Sequence, residues 1–422
     1  MSATAAPSGR EKRGTIEAMA YPLVAYGFLV LLSMAYSINA ADRQLFPTLL
    51  PVIRQEYGWN LKDSGLLSTI FTLGMAVVGI PAGYFVDRVP RKMVIVGAMA
   101  LYSVFTLATI YARGFWGMVF YRTMTGVGEA VQMAALFAAV GSYFYRKRSF
   151  YIGWIIVGYG IGAFFGPRAG VWLQIASKSW RTPFVWFAAA GILLAAAVLV
   201  LIPKSFSESK GPQTAGAAAQ AATAHVPANL WNRNVILAFI ACLINGFSLY
   251  GFMSLYAVFL KDMLGFAGPD IGAAFSFFGF GVLLSFFGGW CGDRFPQHWV
   301  IAIANGLLAA VGYSMYNIAT HLTSQSVLAF LTGVFASAFV YVNLLSLLQR
   351  CVRPEMVGRA TGIFLTSVFG AGAVAGYLMG ALVGRFGWGG AALIELSLFP
   401  IIAIVAMLLV DTKQLIPLAK KA

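Results

Sequence analysis

Apolar runs long enough to cross a lipid bilayer recur along almost the whole chain, and nothing else constrains its fold as strongly. A helix needs about 20 apolar residues to traverse ~30 Å of hydrocarbon. Twelve such runs are expected, at 19–41, 64–86, 93–112, 115–144, 149–175, 181–203, 234–260, 270–292, 299–319, 324–349, 357–384 and 387–410. Several are long enough to predict tilted or bent helices. Of the 422 residues, 60% are apolar and only 10% are charged, a balance that a water-soluble chain cannot bury. The expected fold class is an all-α membrane protein of twelve transmembrane helices.

The net charge of +15 invites a nucleic-acid reading, but its distribution argues against one. With the N-terminus taken as cytoplasmic, 19 lysines and arginines fall on the inner side, 7 on the outer side, and three arginines inside helices. That asymmetry sets topology and puts both termini in the cytoplasm. The partner implied is the lipid bilayer, and no nucleic acid is expected. Cys242, Cys291 and Cys351 are scattered in or beside spans and form neither a disulfide framework nor a metal spacing. The first apolar run exceeds a signal-peptide h-region, so no cleavable leader is expected. The expected location is a multi-pass place in a bacterial inner membrane, as a monomer.

Residues 204–233 interrupt the apolar pattern with Ala, Gln, Ser and Pro and little to bury, which reads as a flexible cytoplasmic connector. The expected organisation is a tail at 1–18, a six-helix bundle at 19–203, the connector at 204–233, a second six-helix bundle at 234–411 and a tail at 412–422. The halves echo each other. GYFVDRVPRK follows the second run and GWCGDRFPQH the eighth. Gly83, Asp87, Arg88 and Pro90 match Gly289, Asp293, Arg294 and Pro296 at one constant offset. Paired halves of six spans are a transporter architecture with a central site near the bilayer midplane.

On that loop, its second copy and the six-plus-six plan, the chain resembles the major facilitator superfamily over all but the tail and connector. The resemblance implies pseudo-symmetric bundles that alternate access to a central site. It also implies that Asp87, Arg88 and Arg91 hold an inner gate closed, with Asp293 and Arg294 as the second half-gate. The second copy is degraded, since Gln297 and His298 stand where basic residues are expected.

Six charged residues fall within spans or at their edges: Asp42, Arg43, Arg122, Glu129, Arg168 and Glu395. Insertion of Arg or Asp at a helix centre costs about 2.5–3.5 kcal/mol, and such residues usually face a cavity or a partner. Arg122 and Glu129, in YRTMTGVGEA, are seven apart, so they share a helix face and stand roughly 10 Å apart along the axis. Both are expected to face a water-filled cavity and to meet Asp42 and Arg43 from the outer part of span one. Burial raises a carboxylate's pKa and a nearby arginine lowers it. An incoming anion that competes for the arginine, and a proton that frees it, therefore favour each other. A proton moving inward gains ~2.3 kcal/mol per 100 mV. The alternative is a static ion pair pinning spans one and four.

The span-one Asp-Arg pair and the span-four Arg and Glu resemble those of the anion:cation symporters, which take up organic anions. They also resemble the spinster-like lipid transporters, whose span four reads close to RxxxGVGEA. Both resemblances imply protonation at Asp42 and Glu129 and anion binding at Arg43 and Arg122. GAFFGPRAG at 162–170 resembles an antiporter motif and offers Arg168 as a further anion contact or a residue reaching to the outer surface. In the second half the candidate contacts are neutral, with Asn245, Tyr250 and Tyr256 in span seven and Tyr341, Asn343 and Gln349 in span ten. Glu395 reads as a peripheral or interhelical polar group. The expected function is proton-coupled symport of an organic carboxylate, with a spinster-like carrier of lysophospholipid or another amphipathic lipid as the alternative. A transport-dead sensor is a third reading. No phosphate loop, metal cluster or nucleophile triad points to an enzyme. No cofactor is expected beyond the proton gradient.

Overall fold

A computed structural model describes residues 22–144, 148–208, 226–353 and 356–416, and all regular structure among them is helical. The helices are α1 (Leu23–Tyr57), α2 (Leu61–Thr69, continuing as Phe71–Arg88), α3 (Arg91–Thr109), α4 (Phe115–Tyr143), α5 (Arg148–Ser177) and α6 (Arg181–Leu201). After the connector come α7 (Arg233–Asp262), α8 (Gly268–Arg294), α9 (Gln297–Asn317) and α10 (Leu322–Arg350). The last stretch, Val357–Leu408, is 52 residues long and breaks at Gly387, whose φ of 71° is left-handed, into α11 (357–386) and α12 (388–408). By length and composition, ten helical stretches among the described residues could cross a membrane.

Helix α1 departs from its expected boundary. The apolar run stops at Ala41, yet the helix continues through Pro47 and Pro51 to Tyr57, at about 1.5 Å per residue some 52 Å in all. Each proline removes one intrahelical hydrogen bond without ending the helix. Gly58 ends it, at φ 68° and with its N–H bonded to the Arg54 carbonyl at 2.9 Å. Asp42 and Arg43 therefore sit at the middle of α1 rather than in its outer part. Their charge mimics a span end in sequence, but the fold turns them inward.

Helices α1 to α6 pack together, as do α7 to α12, and the bundles meet along α2 with α11, α5 with α8, and α1 with α7. Large apolar side chains such as Leu193 and Val200 point outward, as a lipid-facing surface requires. The start of α1, the connector and the end of α12 lie at one end of the molecule. There Asn234 bonds the Asp411 carbonyl at 2.8 Å and Asn232 the Cys351 carbonyl at 2.8 Å. The connector begins with a short helix, Lys204–Ser207; residues 209–225 of the expected connector lie outside the described residues.

The opposite end is where the bundles are tied to each other. Arg54 pairs with Asp262 at 2.7 Å, and Lys261 donates to Gln55 at 3.2 Å. Below them Thr69 donates to the Ala373 carbonyl at 3.3 Å. Gly65 and Gly376 face each other so closely that a Cβ on either would strike the other's carbonyl oxygen. This end, remote from the connector, is shut.

Candidate functional site

The charges that look misplaced in sequence are brought together inside the first bundle. Arg43 of α1 donates from Nε to Glu129 Oε2 of α4 at 2.8 Å. Asp42, the next residue on α1, points toward α3, where its Oδ2 accepts from the Thr106 hydroxyl at 2.9 Å. Arg122 lies on α4 two turns from Glu129. Its guanidinium stands 5.0 Å from the Phe46 ring centre and 5.3 Å from that of Phe71, within cation–π range. None of its three nitrogens has a hydrogen-bond partner. The Arg43 Nη2, one Glu129 oxygen and one Asp42 oxygen are also unpartnered.

The expectation of an open, water-filled setting needs correction. Asp42 is 1% exposed, Arg43 3%, and Arg122 and Glu129 both 0%. The pair is roofed by aromatic rings. Arg43 lies 5.7 Å from the centre of the Tyr159 ring, and Tyr159 packs on Tyr36 at 5.6 Å between ring centres. Tyr159 and Tyr341 are both partly exposed, one from each bundle. Tyrosines, with a polar edge on an apolar body, close over the charges.

Sequence reasoning missed the polar floor beside them. Asn39 donates to Gln132 Oε1 at 2.7 Å, and Gln132 donates to the Ala35 carbonyl at 3.3 Å. Asn39 lies four residues before Arg43 and Gln132 three after Glu129, so each shares a helix face with the pair. That spacing was a usable signal. Thr106 and Tyr159 gave none, since each comes from a helix distant in sequence.

The neutral candidates of the second bundle divide. Tyr250 stands at the seam, its ring edge-on to Phe71 at 6.0 Å, so it touches the wall that holds Arg122. Asn245 is buried and donates to the Ala336 carbonyl at 3.0 Å. Asn343 does not support the expected role as a substrate contact. Its amide donates to the Gly288 and Phe339 carbonyls at 2.9 and 2.8 Å, and its oxygen lies against Gly292. Both donors are spent on pinning α10 to α8 and to its own preceding turn, as is usual for a polar residue between membrane helices. Tyr256 donates to the Gln325 side chain at 3.1 Å. Gln349 donates to Thr361 at 3.0 Å. Arg168 is partly buried at the seam, 4.4 Å from the Phe164 ring centre and 5.5 Å from that of Phe277 in the opposite bundle.

Among the gate candidates, the Asp87 side chain lies outside the described residues. Arg88 is exposed. Arg91 donates from Nη1 to the Ala138 carbonyl at 3.4 Å. The backbone N–H groups of Arg91 and Lys92, at the start of α3, both donate to the Glu208 carboxylate at 3.1 Å. A carboxylate there satisfies orphan donors and the helix dipole. In the second copy, Asp293 and Arg294 are exposed, and Arg294 lies 5.6 Å from the Trp290 ring centre. Gln297, in place of a basic residue, is buried and accepts from Arg350 at 2.7 Å.

A two-bundle helical protein with a charged, membrane-depth interior and one shut end has the form of a membrane carrier. The Major Facilitator Superfamily model matches residues 32–281 and 238–421, and the chain belongs to that superfamily. It is similar to the 4-hydroxybenzoate transporter PcaK of Pseudomonas putida, at 24% identity over 87% of this chain and 88% of that protein. It is similar to the hexuronate transporter of Bacillus subtilis at 28% identity over 40% of each chain. Protein spinster homolog 1 of Homo sapiens is 31% identical over 32% of this chain and 28% of its own. A crystal structure of a bacterial homologue of the human lysosomal transporter spinster, inward-facing and occupied, superposes with a TM-score of 0.69 at 16% identity. The superposition covers 92% of this chain and 96% of that one. These relatives are transporters, not enzymes.

Proposed function

We propose that the protein is a proton-coupled symporter of an organic carboxylate, of which an aromatic acid is the best-supported kind. The observation that carries this reading is the sealed set of Asp42, Arg43, Arg122 and Glu129, in which Arg122 has no hydrogen-bond partner and Arg43 is held by Glu129. Two carboxylates and two guanidiniums sum to zero charge. Adding an anion to a buried neutral set strands a charge, which is costly away from water. Adding an anion together with a proton does not. In the proposed cycle Glu129 takes the proton and lets go of Arg43, and the substrate carboxylate occupies the freed guanidinium. Arg122 supplies a second cation and Asp42 balances it. A planar guanidinium binds a carboxylate with two parallel hydrogen bonds. Tyr36, Tyr159, Tyr250 and Tyr341 offer ring faces and hydroxyls suited to a phenolic or other aromatic body, in keeping with the 4-hydroxybenzoate relatives.

The shut end is the outer one, and the connector end faces the cytoplasm. One proton and one monoanion together carry no net charge. The pH gradient then drives this step, at about 1.4 kcal/mol per pH unit. An amphipathic lipid with an anionic head is the second reading, favoured by the span-four pattern and the spinster relatives. Proteoliposomes with an alkaline interior test both. Accumulation of radiolabelled 4-hydroxybenzoate or another aromatic acid supports the first, and movement of lysophospholipid without response to carboxylates supports the second. Movement of neither overturns the transport cycle.

A further inference from the structure

Glu395 of α12 is the one carboxylate among the described residues of the second bundle that is 0% exposed. Neither of its oxygens has a hydrogen-bond partner. It sits in a π-helical segment, Leu393–Leu398, a wider turn often found where a helix serves a function. The neighbouring turns are fixed by packing on α9, where Ser397 donates to the Ala309 carbonyl at 2.9 Å and Leu396 presses on Gly312. The wide turn delivers the carboxyl group against Gly251 of α7, into the space that a Cβ on that residue would fill. The contact is therefore built from both sides: a bulge supplies the acid and a glycine makes room for it.

The elements packed against this turn are α7, α9, α11 and the rest of α12. Helix α9 offers Tyr316, whose hydroxyl is unpartnered. Helix α7 offers Tyr256, already bonded to Gln325. The arginines of α11, Arg359 and Arg385, are exposed near its two ends, and the rest of α12 has no ionisable side chain. Among the described residues no cation faces Glu395. A carboxylate this deep without a cation or a donor is far costlier than a neutral acid.

We propose that Glu395 is a second proton-holding site, separate from Asp42 and Glu129, which takes up a proton while the end now shut is open, carries it as a carboxylic acid in this conformation, and releases it toward the connector end before the bundles return. The link to rearrangement is local. Gly251 adjoins Tyr250, whose ring meets Phe71 of the other bundle and packs on Gly372. Any shift of α7 as the seam opens also moves the wall that seals the Glu395 carboxyl. A proton taken from the outer side and released to the inner side in each cycle would add a net inward positive charge to an otherwise neutral symport. It would make transport respond to membrane potential.

Infrared difference spectroscopy on the purified full chain at neutral pH tests the first half without any substrate. Glu395→Gln, which keeps shape, should lose one protonated-acid carbonyl band that the Asp42→Asn, Glu129→Gln double variant keeps. Glu395→Met gives the same readout should the amide perturb packing. An unchanged acid band in both Glu395 variants overturns the proposal. Proteoliposomes test the second half with 4-hydroxybenzoate as probe. A potential, interior negative, imposed without a pH gradient should drive uptake by the native chain but not by Glu395→Gln. Uptake driven by a pH gradient should remain in that variant. Equal response of both proteins to the potential, or of neither, overturns the second proton. The infrared result stands apart from the proposed substrate, so failure of the carboxylate reading leaves it intact.

Discussion

The two bundles share a plan and differ in what they bury. The first holds four charges at membrane depth, matched in sign and gathered on α1 and α4. Among its described residues the second buries a single carboxylate, Glu395, set against Gly251. Matched charges can exchange partners, so the first bundle can trade an internal ion pair for one with a ligand. A lone acid has no partner to trade and can only bind or lose a proton. Similar folds thus carry different chemistry because electrostatic pairing, not helix packing, decides what a buried acid can do.

The sharpest way to break that contrast is Glu129→Gln. It should abolish accumulation driven by a pH gradient while leaving exchange of labelled for unlabelled substrate, measured in proteoliposomes. Full accumulation would remove Glu129 from the coupling role. Arg122→Lys keeps charge but loses the planar fork. It should weaken substrate binding roughly 10- to 100-fold, the ~1.5–3 kcal/mol of a charged hydrogen bond, by isothermal titration. Unchanged affinity would assign Arg122 to charge balance alone. In the second bundle Asn343→Ala should lower stability by about 1–3 kcal/mol, because the buried Gly288 carbonyl loses its donor. Thermal unfolding in detergent reads this, and normal transport by the surviving protein would confirm a structural residue. Arg54→Gln should have the smallest effect. A partly exposed pair is worth about 0–1 kcal/mol, so the population open at the far end should rise by no more than roughly fivefold. Spin-label distances between the ends of α1 and α7 that carry Arg54 and Asp262 would show it.

The glycines at the seam explain why the molecule can shut at that end at all. Gly65 and Gly376 let two backbones touch, where any side chain would hold the bundles apart. The sequence pattern exposes those residues as glycines but not as partners, because they lie more than 300 positions apart. The same limit applies to Thr106 and Tyr159 in the site. Local patterns revealed what helical periodicity controls, the shared face of Arg122 and Glu129, and the same periodicity carried an unused signal for Asn39 and Gln132. They misread α1, because a charged AADRQ reads as the end of a span when lipid is assumed on every side. They also gave no sign that Asn343 bonds across to α8.

The resemblance of the repeated loop suggested the superfamily; the order of apolar runs, the internal repeat and the unusual charges sufficed to determine a helical membrane carrier and to single out Asp42, Arg43, Arg122 and Glu129. Those properties follow from hydrophobic length and the cost of burying charge, which are local to each segment. Only the tertiary structure decided that Arg43 takes Glu129, that Arg122 is left over, and that Glu395 meets a glycine instead of a cation. Partner choice depends on which helices pack side by side, and that is a property of the assembled bundles.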